Sequence, residues 1–234
     1  MRLHCRTSVR TSGRDFAQDG EGGPLPLGSA PVSHYFSPDV PAASEPREID
    51  VVLRGRRVTV RTDRGVFSGD RLDPGTAVLL GTVPDPPPTG TFLDLGCGWG
   101  PVALALAQAA PQARVLAVDV NPRALELTRR NAADLGCSGV ETVEPEALLA
   151  REPDLALDLV WSNPPIRVGK PALHAMLATW LPRLAPGGSA YLVVSKNLGA
   201  DSLQRWVVDQ LGQATERVAS SKGFRVLRVD AATA

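Results

Sequence analysis

Lysine is nearly missing from this chain: of 25 basic residues only Lys170, Lys196 and Lys222 are lysines. Cysteine is equally scarce. Cys5, Cys97 and Cys137 form an odd, scattered set with no Cys-x-x-Cys pair and no histidine at metal-ligand spacing. A disulfide framework and a zinc site are therefore excluded as organising features, no metal is expected, and a reducing cytoplasm fits best. No apolar run approaches the ~18 residues of a membrane span, so no membrane is expected as a partner. The first residues, MRLHCRTSVR, carry arginines without the apolar centre of a secretory signal. Net charge is zero, with 25 basic against 25 acidic residues. That excludes a protein that coats nucleic acid indiscriminately, because phosphate binding draws on an excess of cations. It leaves room for a local basic patch.

What is present is an ordinary globular composition, 43% hydrophobic and 21% charged over 234 residues, enough for one α/β domain and a small extension. Residues 1–33 are rich in Gly, Ser, Pro and Arg without apolar periodicity and are expected to be a disordered tail. Residues 34–83 read as an N-terminal extension. In it 49–53 and 58–60 form a hairpin around Arg54-Gly55-Arg56-Arg57, and 76–80 a short helix. A proline-rich linker at 84–90 opens a domain over 84–231. There the pattern alternates strands (91–95, 114–118, 140–143, 157–161, 190–194) with helices (101–110, 122–135, 171–184, 202–211). Pro186-Gly187-Gly188 is expected to stop the third of these helices, and 215–218 with 224–229 form a terminal hairpin. The alternation implies an α/β fold: a Rossmann-like, doubly wound, seven-stranded, mostly parallel sheet with one antiparallel edge strand. Ligands of such sheets sit beyond the carboxyl ends of the strands.

The first of these ends runs Asp94-Leu95-Gly96-Cys97-Gly98-Trp99-Gly100-Pro101. Glycines let the backbone turn sharply and approach a ligand, and the helix start offers free N–H groups. Pro101 stands where a dinucleotide fingerprint needs its third glycine. The Asp94 carboxylate would repel a pyrophosphate but accept a hydrogen bond from a cationic amino-acid group. Both features favour S-adenosylmethionine (SAM) over NAD as cofactor. Asp119, about 20 residues on, is placed to accept from ribose hydroxyls. Val120 and Asn121 follow it, and Asn121 also suits a helix cap. Beyond the third strand Glu146, with Glu144 competing, could meet the adenine amino group.

After the fourth strand comes Ser162-Asn163-Pro164-Pro165-Ile166-Arg167. Consecutive prolines stiffen the backbone and remove two donors, leaving carbonyl acceptors beside the Asn163 amide. A rigid pair of acceptors can grip both hydrogens of an NH2 group and aim its lone pair. For delocalised, weakly nucleophilic nitrogens that aiming is most of the catalysis. With DLGCGWG, VDVNPRAL and SNPPIRVGK taken together, and GVFSGDRLDPGT and KGFRVL flanking them, the chain over about 48–230 resembles the small-domain class I methyltransferases. That family contains 16S ribosomal RNA guanine-N2 methyltransferases. The resemblance implies that Asp94, Gly96 and Gly98 hold SAM, Asp119 its ribose, and Asn163, Pro164 and Pro165 the target amine. Ile166 departs from the aromatic residue usual after the second proline, where a ring would stack on a base.

The three lysines follow the Asn-Pro-Pro loop, the fifth strand and the turn of the terminal hairpin. With Arg167 and Arg225 they are expected to form a basic rim that guides an RNA, probing for a flipped or unpaired base. Arg54, Arg56, Arg57, Arg61, Arg64 and Arg71 crowd the N-terminal extension. His174 reads as a helix-face residue. The leading expectation is methylation of a guanine N2 amine in ribosomal RNA. The alternatives are a protein glutamine, DNA adenine or small-molecule amine target, and a non-catalytic SAM-binding ribosome-assembly factor. An NAD oxidoreductase is disfavoured by Pro101 and by the lack of a Tyr-x-x-x-Lys pair.

Overall fold

A computed structural model describes residues 44–165 and 168–232. The expected tail, Ile166 and Arg167 lie outside the described residues. Two chirality-matched hairpins bracket the fold. The first joins β1 (Arg47–Leu53) to β2 (Arg56–Thr62) through Arg54 and Gly55, whose φ values of 46° and 83° make a two-residue turn that suits the strand twist. The last joins β8 (Thr215–Ser221) to β9 (Phe224–Asp230) through Lys222 and Gly223, at 49° and 82°. Between them run α1 (Pro74–Thr82), β3 (Thr91–Leu95), α2 (Pro101–Ala109), β4 (Arg114–Val118), α3 (Pro122–Asp134), β5 (Val140–Val143) and α4 (Pro145–Arg151). After these come β6 (Leu157–Ser162), α5 (Lys170–Trp180), β7 (Leu184–Ser195) and α6 (Ala200–Leu211).

The seven-stranded sheet has the order β5-β4-β3-β6-β7-β9-β8. The closing hairpin supplies its antiparallel strand, β9, which pairs with β7 on one side and with the outermost strand β8 on the other. Strand alternation sorts the core into two layers. Phe92, Val115, Ala117, Trp161, Tyr191, Val193 and Val226 face α1, α2 and α3. Leu93, Leu116, Val118, Val160, Leu192, Val194 and Leu227 face α4, α5 and α6. Helix α2 is buried along most of its length because the β1–β2 hairpin covers its outer side, with Val51, Leu53, Val58 and Val60 in the same core. A helix sandwiched this way has no solvent face to make polar. The extension therefore shares the core of the α/β sheet domain instead of standing apart.

Two tethers fix the hairpin. Asn131, 1% exposed on the inner face of α3, accepts from the Arg61 N–H at 2.7 Å and donates to the carbonyls of Arg61 and Trp99 at 2.9 Å. Arg54 donates to the carbonyls of Leu80 and Val83, both at 3.0 Å, closing the end of α1. Of the arginines expected to crowd this region, Arg61 pairs with Glu48 and Asp134, and Arg64 with Glu45.

The structure departs from the sequence reading on either side of the fourth strand. Helix α5 ends at Trp180 and a single 3-10 turn over Leu181–Arg183 follows. Pro182 cannot donate to an α-helical ladder and its ring obstructs the preceding turn, so the helix stops well before Pro186-Gly187-Gly188. Those residues instead open β7. A Cβ on Gly188 would lie 2.7 Å from the Leu157 carbonyl oxygen, so the strands pass too closely there for any side chain. Helix α4 was not expected; Pro145 at its first position is a helix start.

Candidate functional site

The strands β3, β4, β5, β6 and β7 all end on one edge, and a cavity of about 640 Å³ opens there. The glycine turn after β3 forms its base. Gly96 and Cys97 donate to the Val118 carbonyl at 2.9 and 3.0 Å, stitching the turn to the end of β4. Gly96, Gly98 and Gly100 have φ values of 81°, 57° and 94°, the left-handed region that disfavours side chains. At Gly100 a Cβ would also meet Thr128 at 2.9 Å.

Asp94 does more than the sequence suggested. Gly100, the cap of α2, has no side chain, and Asp94 reaches from the strand to accept from the Ala103 N–H at 2.9 Å. Its carboxyl is 2% exposed and has its pKa pushed up to about 8, by burial first and by the nearby Asp119 carboxylate, against the lowering effect of the Ala103 bond. It lies in a small recess behind the turn, shared with Gly96, Cys97, Gly98 and Asn163. Cys97 is buried and its thiol pKa is raised, by burial first, so it is an inert filler. Cys137 is buried and free as well.

Asp119 lines the cavity with Val120 and Asn121. One carboxylate oxygen accepts from Gly98 N–H at 3.0 Å, the other from Asn121 N–H at 2.9 Å. Burial nonetheless raises its pKa. Each oxygen keeps lone-pair capacity toward the cavity, the pattern needed to receive a diol. Asn121 caps α3, accepting from Arg123 N–H at 3.0 Å, and donates to the Gly65 carbonyl at 3.2 Å. Glu144, Pro145, Glu146 and Leu149, at the start of α4 beyond β5, also line the cavity. Met176 and Trp180 of α5 add apolar surface to the lining. A cavity of this size, with a carboxylate whose oxygens have acceptor capacity to spare amid glycine backbone and apolar side chains, fits a nucleoside cofactor such as SAM.

Asn163, Pro164 and Pro165 stand against the glycine turn: a Cβ on Gly96 would lie 3.9 Å from Pro165 Cδ. The Asn163 amide is oriented by residues the sequence reading did not single out. Its Nδ2 donates to the Asp73 carboxylate at 2.7 Å and to Thr76 Oγ1 at 3.0 Å. A carboxylate only accepts, so the NH2 end must face Asp73 and the carbonyl end is turned away from it. The Pro165 carbonyl accepts from Val168 N–H at 3.2 Å. The Asn163 Oδ1 and the Pro164 carbonyl are then the candidate acceptors.

Lys170, Lys196 and Lys222 are exposed around this edge. Lys196 N–H donates to the Gly223 carbonyl at 2.8 Å, joining two of the three turns, and Lys170 Cε approaches the Gly199 backbone. Arg225, opposite Val194 at the same edge, is 12% exposed and is paired with Asp201 at the start of α6, so its charge is partly taken up there. His174 stacks on Trp206 with ring centroids 4.0 Å apart, and burial, then the Lys170 charge, lowers its pKa. Among the described residues no cluster of His, Cys, Asp or Glu could hold a metal ion, and no helix is long and apolar enough to cross a membrane.

The sequence model of the methyltransferase small domain matches residues 57–228. The uncharacterized protein YbxB of Bacillus subtilis (strain 168) is 30% identical over 195 residues, 83% of this chain and 96% of that protein. Ribosomal RNA small subunit methyltransferase C of Escherichia coli (strain K12 / DH10B) is 32% identical over 175 residues, 73% of this chain but 49% of that protein. The chain thus spans about half the length of the small-subunit methyltransferases it matches. Among solved structures, the T. thermophilus 16S rRNA N2 G1207 methyltransferase (RsmC) in complex with AdoMet and guanosine superposes with a TM-score of 0.67. It is 22% identical, and the match covers 82% of this chain and 52% of that one.

Proposed function

From the premise that the chain belongs to the methyltransferase small domain family and is a SAM-dependent methyltransferase, we propose that its acceptor is the exocyclic N2 amine of a guanine in ribosomal RNA. The observation that carries the nitrogen target is the fixed Asn163 amide, held at 2.7 Å by Asp73 and 3.0 Å by Thr76. Asp119 would receive the ribose hydroxyls, the backbone of Gly96 and Gly98 the amino-acid portion, and the start of α4, at Glu144 and Glu146, the adenine edge. When bound, SAM supplies an electrophilic methyl group. Asn163 Oδ1 and the Pro164 carbonyl accept the two amine hydrogens and so direct the nitrogen lone pair, which is otherwise delocalised into the ring. Prolines on either side of that carbonyl keep the pair from relaxing as the nitrogen turns pyramidal. No strong base is needed, because the methylated nitrogen becomes acidic enough to release its proton to water.

Guanine in ribosomal RNA is favoured over other amines by the small-subunit methyltransferases among the relatives and by the lysines at the mouth. With 25 basic and 25 acidic residues overall, a local rim is how such a protein steers a phosphate backbone. On this reading residues 84–231 carry the chemistry, and Asp73 and Thr76 of the N-terminal extension, 34–83, orient Asn163. The test is radiolabelled methyl transfer to small subunits, naked ribosomal RNA and protein from cells lacking this gene. Label in RNA supports the reading. Label confined to protein, or SAM binding without turnover, overturns it.

A further inference from the structure

The loop over 63–73 joins the β1–β2 hairpin to α1 and crosses the cavity. It buries Val66, 7% exposed, and displays the next residue, Phe67, which at 60% is the most exposed large hydrophobic side chain among the described residues. A loop that merely needed anchoring would bury the larger of the two. Nor is Phe67 exposed because its loop is loose. Val66 N–H donates to the Asp63 carbonyl, Trp99 Nε1 to the Ser68 carbonyl at 3.2 Å and Thr62 Oγ1 to the Gly69 carbonyl at 2.5 Å. From the cofactor side, Asn121 Nδ2 holds the Gly65 carbonyl at 3.2 Å and Arg123 Nη1 the Arg64 carbonyl at 2.7 Å. Ser68 sits at φ 55°, a left-handed conformation that a non-glycine residue keeps only where its surroundings impose it.

The position is as informative as the exposure. Phe67 lines both the cavity and the recess beneath it, together with Asp73, Gly96, Gly98 and Asn163. It therefore stands at the Asn163 end, away from Glu144, Pro145 and Leu149, which take the adenine side. Phe224 lines the same cavity from the terminal hairpin. A solvent-facing phenyl ring on a tethered loop, lining the same cavity as the oriented Asn163 amide, is suited to receive the face of a planar ring whose amine that amide accepts from.

We propose that Phe67 is the stacking platform for the ring bearing the target amine and so a specificity-determining residue. The inference rests on the nitrogen target given above, and it requires the acceptor to be a flat ring and not a flexible side-chain amine. The test compares wild type with Phe67→Ala, Phe67→Leu and Phe67→Tyr in methyl transfer to ribosomal RNA. Loss of one base-stacking contact predicts a fall of roughly 10- to 100-fold in kcat/KM for RNA in Phe67→Ala. Phe67→Leu should be intermediate and Phe67→Tyr close to wild type, with the fall in kcat/KM for RNA exceeding any change in the Kd for SAM. A wild type that labels no RNA defeats the guanine reading whatever Phe67 does, so a second measurement is independent of turnover: quenching of 2-aminopurine riboside fluorescence by protein saturated with S-adenosylhomocysteine. Wild type and Phe67→Tyr should quench and Phe67→Ala should not. Equal quenching by Phe67→Ala, no quenching by wild type, or undiminished RNA methylation by Phe67→Ala overturns the platform.

Discussion

Asp73 is the residue whose substitution tests the site geometry most sharply, because it has two jobs that can be separated. Its side chain caps α1, accepting from Thr76 N–H at 2.9 Å, and it holds the Asn163 amide at 2.7 Å. Asparagine caps a helix about as well as aspartate, whereas alanine forfeits ~1 kcal/mol of stability. The orienting role differs. A carboxylate offers only acceptors and forces one amide orientation, while an asparagine at 73 can satisfy either. A hydrogen bond to a charged partner contributes ~1.5–3 kcal/mol net. If that energy serves to hold the Asn163 Oδ1 toward the target amine, its loss lowers kcat by roughly 10- to 150-fold. Thr76 Oγ1, still 3.0 Å away, retains part of the orientation, so the lower half of that range is expected for Asp73→Ala. Asp73→Asn should keep the stability of wild type and lose kcat in part. Thr76→Val in the Asp73→Ala background should remove the remainder. The assay is steady-state methyl transfer at saturating SAM, with urea unfolding and SAM titration on the same preparations. Undiminished kcat in folded Asp73→Ala would refute the claim that this carboxylate positions Asn163.

Three further outcomes follow from the same geometry. Gly100→Ala places a Cβ 2.9 Å from Thr128 at a φ of 94°, so the turn must shift; SAM affinity measured by calorimetry should fall by roughly 10-fold or more while the protein stays folded. The Asp94 carboxyl is raised to about 8 by burial, so the folded state holds its proton more tightly than the unfolded chain. The stability this gives is complete below about pH 4 and is lost as pH rises toward 8, at up to ~1.4 kcal/mol per pH unit. Asp94→Asn should flatten that slope in urea titrations at pH 5, 6.5 and 8, and parallel curves for the two proteins would contradict it. Charge reversal at Lys170 and Lys196 should weaken RNA binding and its salt dependence while leaving SAM binding intact; unchanged RNA affinity would remove the rim from the account.

Much of this arrangement is legible in the chain because its signals are local. Strand, glycine turn and helix follow one another at 91–109, and the Asp119 and Asn163 positions follow from which strand ends point to one edge. The Asn121 cap and the helix-face role of His174 are likewise short-range patterns. What sequence reading missed depends on distant partners. Asp73 and Thr76 meet Asn163 across about 90 positions, and nothing near Asp73 announces more than a helix cap. Asn131 carries a usable signal: an amide on the helix stripe that also holds Ala124, Leu127 and Ala132 of α3 implies a buried hydrogen-bonding job. The pairing of Arg225 with Asp201 is likewise a contact between separate elements that no local pattern announces. The early end of α5 was readable from Pro182 alone, had the glycines at 187 and 188 not offered a more conspicuous stop.

The central claim is that the edge built from Asp119, Asn163 and Pro164 delivers a methyl group from SAM to a ring amine. Its most direct test is mass spectrometry of the nucleosides released from ribosomal RNA after reaction with SAM bearing a deuterated methyl group. The account predicts deuterated N2-methylguanosine with wild type, and its loss with Asn163→Ala. Label on another atom or base, or persistence of the product in Asn163→Ala, would contradict it.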